Sequence, residues 1–253
     1  MDNATKNLAS GAQYARLGLT ISNGVIAAID GHLTIEEMQQ ILKNENFIRE
    51  CATKIASEVL NIPIDQWFEQ KTKIQRFYRS CFQLSVNWSK VLLPGKVEGV
   101  NFLEYVSEHL TEDDIFNAYA KKFGKDKVYT SYDNIRKSIK EQQIVPTGDY
   151  AFSHRGGIEP DVEHLNKSYN DFFQDGNDYM VIKEGLITTF RYRFETANTW
   201  GSKGLTRFHT LSEDSNDMFI YCNVNGQINV CRSSRDHKDA DNGPRQVWRS
   251  TTA

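Results

Sequence analysis

Two short stretches concentrate side chains that could do chemistry. Asp236-His237-Lys238-Asp239-Ala240-Asp241-Asn242-Gly243 is the densest run of oxygen and nitrogen donors in the chain. Several carboxylates close together are what a hard cation such as calcium requires. The glycine position and the lack of a terminal Glu exclude an EF-hand loop. A solvated loop between two strands has the same composition, and no metal or other cofactor is expected. The second stretch is His154-Arg155-Gly156-Gly157, followed by Glu159, Asp161, Glu163 and His164. It holds the ingredients of an acid–base pair or a metal site. Its two histidines have no recognised ligand spacing, however, and a turn before an acidic helix start reads the same way.

Other chemistries find less. No nucleophile elbow, cysteine-protease signature, GxGxxG or phosphate-binding glycine-lysine loop occurs. Arg191, Arg193, Arg207, Arg232, Arg235, Arg245 and Arg249 stand near Tyr192, Phe208 and Trp248. Basic residues interleaved with aromatics can bind a single nucleic-acid strand. This half of the chain is not net basic, though, and a one-sided sheet produces the same alternation. No nucleic-acid partner is therefore expected.

The elements that must position these residues fall into two textures. The 253 residues hold 30 Lys+Arg against 33 Asp+Glu, a formal net charge of −3. No basic domain or acidic tail marks an electrostatic partner. Aromatics at 11% exclude a disordered chain. Residues 1–145 read as mainly helical. Thr34-Ile-Glu-Glu37 is a capping box, and Ile35, Met38, Ile41, Leu42, Phe47, Cys51, Ile55 and Val59 follow at helical spacing. Helices are expected over Asp65–Phe82, Asn101–Leu110, Thr111–Phe123 with a Gly124 stop, and Ser131–Glu141, with a short strand at Lys127–Thr130. The run from Leu17 to Ile29 is too short and polar for a bilayer span of about 20 residues. Asp2 argues against a leader peptide, so a cytoplasmic protein away from membranes is expected.

Residues 146–253 read as a strand-rich second region. The turn cluster Pro146-Thr147-Gly148-Asp149 opens it. Strands are expected at Tyr150–His154, Tyr179–Lys183, Ile187–Glu195, Gly204–Leu211, Met218–Val224, Gln227–Arg232 and Arg245–Arg249, with a short helix within Glu159–Phe173. Asn225-Gly226 predicts a two-residue type I′ hairpin pairing Val224 with Gln227. That register sets Cys222 and Cys231 diagonally on one face, roughly 7–8 Å apart, too far for an unstrained disulfide.

Several segments of this region resemble the C-type-lectin-like fold in its bacterial form without disulfides. They are Asn198-Thr-Trp200-Gly201-Ser202, the hairpin Met218 to Cys231, the polar loop after it, and Arg245-Gln-Val247. A longer set is similar to an uncharacterised protein family of candidate-phyla bacteria: Gly148 to Asp161, Leu165 to Ser168, Phe77-Tyr78, Leu93-Pro94, Glu98-Gly99 and Leu110-Thr111. Members carry a Leu- and Glu-rich helix before the Trp strand. Ile187 to Phe194, which fits strand or helix, departs from that pattern. The resemblance implies an α+β fold: a helical N-terminal region, then a small twisted antiparallel sheet displaying side chains of no fixed sequence. In some relatives diversity-generating retroelements rewrite those positions. Here they are Arg207, His209, Asn223, Asn229, Arg232, Ser234, Arg235, Asp236, His237 and Asp239. Trp200, Asn225, Gly226 and Arg245 are the implied structural residues. The function implied is recognition of a protein or other ligand, with no catalytic residue to carry over. Two alternatives stand beside it. One is an oxidase of the formylglycine-generating type, using Cys222 and Cys231 or a His/carboxylate iron site. The other is a nucleic-acid-binding or phage accessory protein.

Overall fold

The computed structural model describes residues 67–202 and 204–250, and the chain from Glu69 onward forms one compact unit. The Thr34 capping box, the apolar stripe through Val59 and the run Leu17–Ile29 lie outside the described residues. The fold is α+β. A three-stranded sheet and a six-stranded sheet face a helix from opposite sides. Among the described residues no helix is long and apolar enough to cross a membrane.

Helix α1 (Phe68–Phe82) buries Ile74, Phe77 and Tyr78 at helical spacing, as the sequence pattern predicts. Asn101–Leu110 departs from its predicted helix. It holds strand β1 (Phe102–Val106). The polar position that reads as a helix's wet face is Glu104, which is 2% exposed and lies 3.3 Å from the Arg191 guanidinium. With Glu104 turned inward, β-branched and aromatic neighbours on both faces favour a buried strand. Helix α2 (Glu112–Phe123) begins where predicted. Thr111 Oγ1 accepts from Asp114 N–H at 3.1 Å, and Asp114 Oδ2 accepts from Thr111 N–H at 2.9 Å. Strand β2 (Val128–Thr130) also forms as predicted. The helix predicted from Ser131 is replaced by turns and strand β3 (Ile139–Gln142). Asp113 takes the amides of Ile135 and Arg136, and Asn134 Oδ1 takes that of Lys137. Side-chain acceptors thus claim the donors a helix would use internally.

Strand β4 (Tyr150–His154) is buried throughout and pairs antiparallel with β1, Phe102 facing His154 and Val106 facing Tyr150. The stretch Glu159–Phe173 contains one short helix, α3 (Tyr169–Phe173), capped by Ser168 and Asp171. The strands predicted at Tyr179–Lys183 and Ile187–Glu195 are instead largely one helix, α4 (Ile182–Thr196). It touches β1 on one side and the six-stranded sheet on the other. A helix covered on two sides buries polar positions along with apolar ones, here Glu184, Thr188, Thr189 and Arg191, and loses the 3.6-residue signature. Gly185 lets it close on the sheet, because a Cβ there would overlap the Phe208 ring.

The larger sheet runs β2-β7-β6-β5-β3, where β5 is Thr206–Ser212, β6 Asp217–Cys222 and β7 Ile228–Ser233; β8 (Gly243–Pro244) lies beside β5. Strand β9 (Trp248–Arg249) pairs with β4 and is all that forms of the strand predicted at Arg245–Arg249. The β6–β7 hairpin differs in register from prediction by one residue. Asn223 pairs with Gln227, Cys222 with Ile228 and Phe219 with Cys231. Only Gly226 of the Asn-Gly pair takes a positive φ, +73°. The loop is therefore the three-residue type closed by a glycine bulge. The shift places Cys222 and Cys231 on opposite sheet faces, both as free thiols. Strands from before residue 146 pair with strands after it in both sheets, so the expected division into 1–145 and 146–253 does not follow the fold.

One buried ion pair ties the layers together. Glu184, at the start of α4, accepts from Arg249 Nε at 2.8 Å and Nη2 at 2.7 Å, from the Tyr150 hydroxyl at 3.1 Å and from Val181 N–H at 2.9 Å. The two charged side chains are 0% and 3% exposed. Removing one partner strands a buried charge. Arg249→Met should lower the urea-measured unfolding free energy by about 3–5 kcal/mol. Adding Glu184→Leu should restore part of that loss. A double variant no more stable than the single one would contradict the coupling.

Candidate functional site

The ten candidate recognition residues separate by burial. Arg207, His209 and Asn229 are 0%, 7% and 3% exposed, and none belongs to an outer surface. Strand β5, which carries Arg207 and His209, touches both α4 and α3, and Asn229 is buried on β7. The one-sided alternation assumed from the sequence therefore does not hold. Arg207 Nη1 donates to Asp217 Oδ2, and both side chains are wholly buried. Burial pushes the Asp217 carboxyl up to about 6, against the opposing pull of Arg207. His209 stands among the rings of Tyr169, Phe172 and Phe173, at centroid separations of 5.7, 6.1 and 5.0 Å. Asn229 donates to Gln227 O at 3.0 Å.

Asn223 organises the hairpin tip. Its Oδ1 accepts from the amides of Asn225 and Gln227, both at 3.0 Å. Arg193 donates to Gly226 O, and a Cβ on Gly226 would overlap that guanidinium. Trp200 and Arg245, each 1% exposed, pack together with the guanidinium 4.2 Å from the ring centroid. Arg245 Nη1 also donates to Gly156 O at 3.2 Å and Gly157 O at 3.4 Å.

The remaining candidates are brought together. Arg232, Ser234, Asp236, His237 and Asp239 are exposed, and Arg235 is half-buried. Arg232 lies near the end of β7, and the others lie on the segment between β7 and β8. The segment is held from below by one backbone bond and one side-chain bond: Asn170 N–H donates to Arg235 O at 3.4 Å, and Asn170 Nδ2 donates to the Asp236 carboxylate at 2.5 Å. Lys238 Nζ lies 2.8 Å from Asp171 Oδ2, and the Arg235 guanidinium sits 5.3 Å from the Tyr169 ring. At the far end Asn242 is buried. It accepts from Asn166 N–H through its carbonyl and from Leu205 N–H through Oδ1, both at 2.9 Å. The segment thus has a fixed path and outward-facing side chains of both charge signs.

The donor clusters do not converge. Among the described residues no three His, Cys, Asp or Glu side chains are placed to hold a metal ion. Asp239 is turned to Asp241 N–H at 3.3 Å, while Asp236 serves Asn170. His154 accepts from Gly156 N–H at 3.1 Å and stacks on Phe102, whereas His164 packs edge-on against Tyr179.

Sequence reasoning missed a pair of clefts, of 250 and 420 Å³, that adjoin at Glu108 and Gly148. Their charged residues come from stretches far apart in the chain, and no local spacing announces them. No family model, curated protein or solved structure matches this chain.

Burial lowers the His209 pKa. The unfolded chain therefore takes up a proton near pH 6.5 that the folded site resists, and stability falls as pH drops below that point. His209→Phe, which suits the aromatic surroundings, should flatten the decline in melting temperature between pH 7 and pH 5. A decline as steep as in the native protein would show that His209 takes no part in it.

Proposed function

We propose that this chain is a binding module, a C-type-lectin-like scaffold that recognises a protein or other ligand through the segment Arg232–Asp241. The observation that carries the proposal is the contrast within that segment. One backbone bond and the Asp236 and Lys238 side chains tie it to α3, while Arg232, Ser234, His237 and Asp239 are exposed. Such a surface can change chemistry without changing fold. The lectin-like assignment draws support from element order: a helix, the Trp200 turn, a hairpin, a polar segment and a short closing strand. Helix α4 occupies the place where the resembling family carries a helix. We place the protein in the cytoplasm on its sequence character alone.

Two observations weigh against the alternatives. Cys222 and Cys231 occupy opposite sheet faces, which argues against a paired-cysteine oxidase. Five of the seven arginines expected on an RNA-binding face are engaged with internal partners: Arg191 with Glu104, Arg193 with Gly226, Arg207 with Asp217, Arg245 with Gly156, and Arg249 with Glu184. Of the seven, Arg232 and Arg235 alone remain to track a phosphate backbone.

The test is the triple substitution Arg232→Ala, His237→Ala and Asp239→Ala. Exposed changes of this kind shift stability by only about 0.5 kcal/mol each. Thermal melting should therefore stay close to that of the native chain. A partner cross-linked to the native chain in bacterial lysate should no longer be captured. Undiminished capture, or a chain that fails to fold, would contradict the proposal.

A further inference from the structure

The smaller cleft lies at the junction of four elements. Glu108 and Glu112 flank the start of α2, Arg136 comes from the turn before β3, Gln142 ends β3, and Lys183 stands in the first turn of α4. Leu110, 8% exposed, supplies an apolar wall. The cleft carries charges of both signs. Arg136 Nη1 is 3.5 Å from Glu112 Oε1, and Lys183 Nζ donates to Ser107 O at 2.9 Å while feeling both Glu112 and Arg136.

Glu112 is 1% exposed, yet among the described residues the one ion-pair contact it makes is this long one to a half-exposed arginine. Gln142 Oε1 is buried and has no hydrogen-bond partner among the described residues. A buried acceptor of this kind calls for a donor. Lys183, partly desolvated, has ammonium protons beyond the one directed at Ser107.

A ligand of single charge would meet one attractive pair and one repulsive pair in this cleft. A ligand bearing both signs a few ångströms apart meets complementary charge at each end. A volume of 250 Å³ lies below the roughly 300–1,000 Å³ of sites for drug-sized molecules and suits something smaller. We propose that this cleft binds a small zwitterion of the α-amino-acid type. Its carboxylate faces Lys183 and Arg136, its ammonium faces Glu108, Glu112 and Gln142 Oε1, and a short aliphatic side chain lies against Leu110. The site shares no residue with the Arg232–Asp241 segment and does not depend on that segment's role.

The test is thermal melting and calorimetric titration with glycine, L-alanine and L-valine, with propionate and propylamine as single-charge controls. The amino acids should raise the melting temperature to a plateau, and the two controls should not. Gln142→Leu alters a half-buried side chain and Arg136→Gln an exposed one, and both should fold. Each should weaken amino-acid binding by about tenfold or more. The triple variant at Arg232, His237 and Asp239 should bind amino acids as the native chain does. No response to any of the three amino acids, an equal response to propionate, or unchanged binding in both cleft variants would overturn the proposal.

Discussion

The bidentate contact between Glu184 and Arg249 is the constraint on which the architecture turns. Glu184 opens the helix that both sheets cover, and Arg249 lies in the short strand that closes the three-stranded sheet. Their junction fixes how the smaller sheet sits against the helix, and the Tyr150 hydroxyl and Val181 amide complete the carboxylate's shell. A desolvated pair of this kind adds little net stability over an apolar replacement. Its effect is geometric: the planar guanidinium fork accepts the carboxylate in few orientations. Four residues upstream, Arg245 is held between the Trp200 ring and the Gly156 and Gly157 carbonyls. The polar segment therefore runs between strand β7 and a stretch anchored at several points.

Arginine acts here mainly as an internal strut. Arg191 meets Glu104 beneath β1, Arg207 meets Asp217 within the large sheet, and Arg193 braces the hairpin tip. Arg191 and Arg207 are each paired with a buried carboxylate. The consequence for function is that basic residues conspicuous in the sequence are withdrawn from the surface. What remains outside near the hairpin is a short run of mixed charge, suited to contacts with a protein surface.

Much of the fold was legible. Helix α2 announced itself through Thr111, Asp114 and Gly124. Strands β4 to β7 announced themselves through apolar runs and the Asn-Gly turn. The misreadings share a cause: tertiary partners overrode local pattern. Glu104 reads as solvent-facing until Arg191 covers it. Helix α4 does not segregate its polar residues, because Glu184, Thr188, Thr189 and Arg191 are buried with its apolar ones. The turn after Ser131 is drawn out of helical form by Asp113, a residue on another element. The hairpin register moved by one because Asn223, outside the two-residue signal, supplied acceptors for Asn225 and Gln227. The recognition segment could be read as a polar run, whereas Arg207, His209 and Asn229 could not be distinguished from surface residues without the covering helices. The charged cleft was invisible because spacing along the chain carries no information about four elements meeting.

The central claim is that this fold fixes the path of the Arg232–Asp241 segment while its exposed side chains make only surface contacts, such as Arg232 with Asp214 and Lys238 with Asp171. Saturation substitution at all ten candidate positions, sorted by resistance to proteolysis, tests it most directly. Arg232, Ser234, Asp236, His237 and Asp239 should accept nearly every residue, and Arg207, His209 and Asn229 almost none. Equal intolerance across both groups would contradict the claim, because the exposed segment would then be part of what holds the protein together.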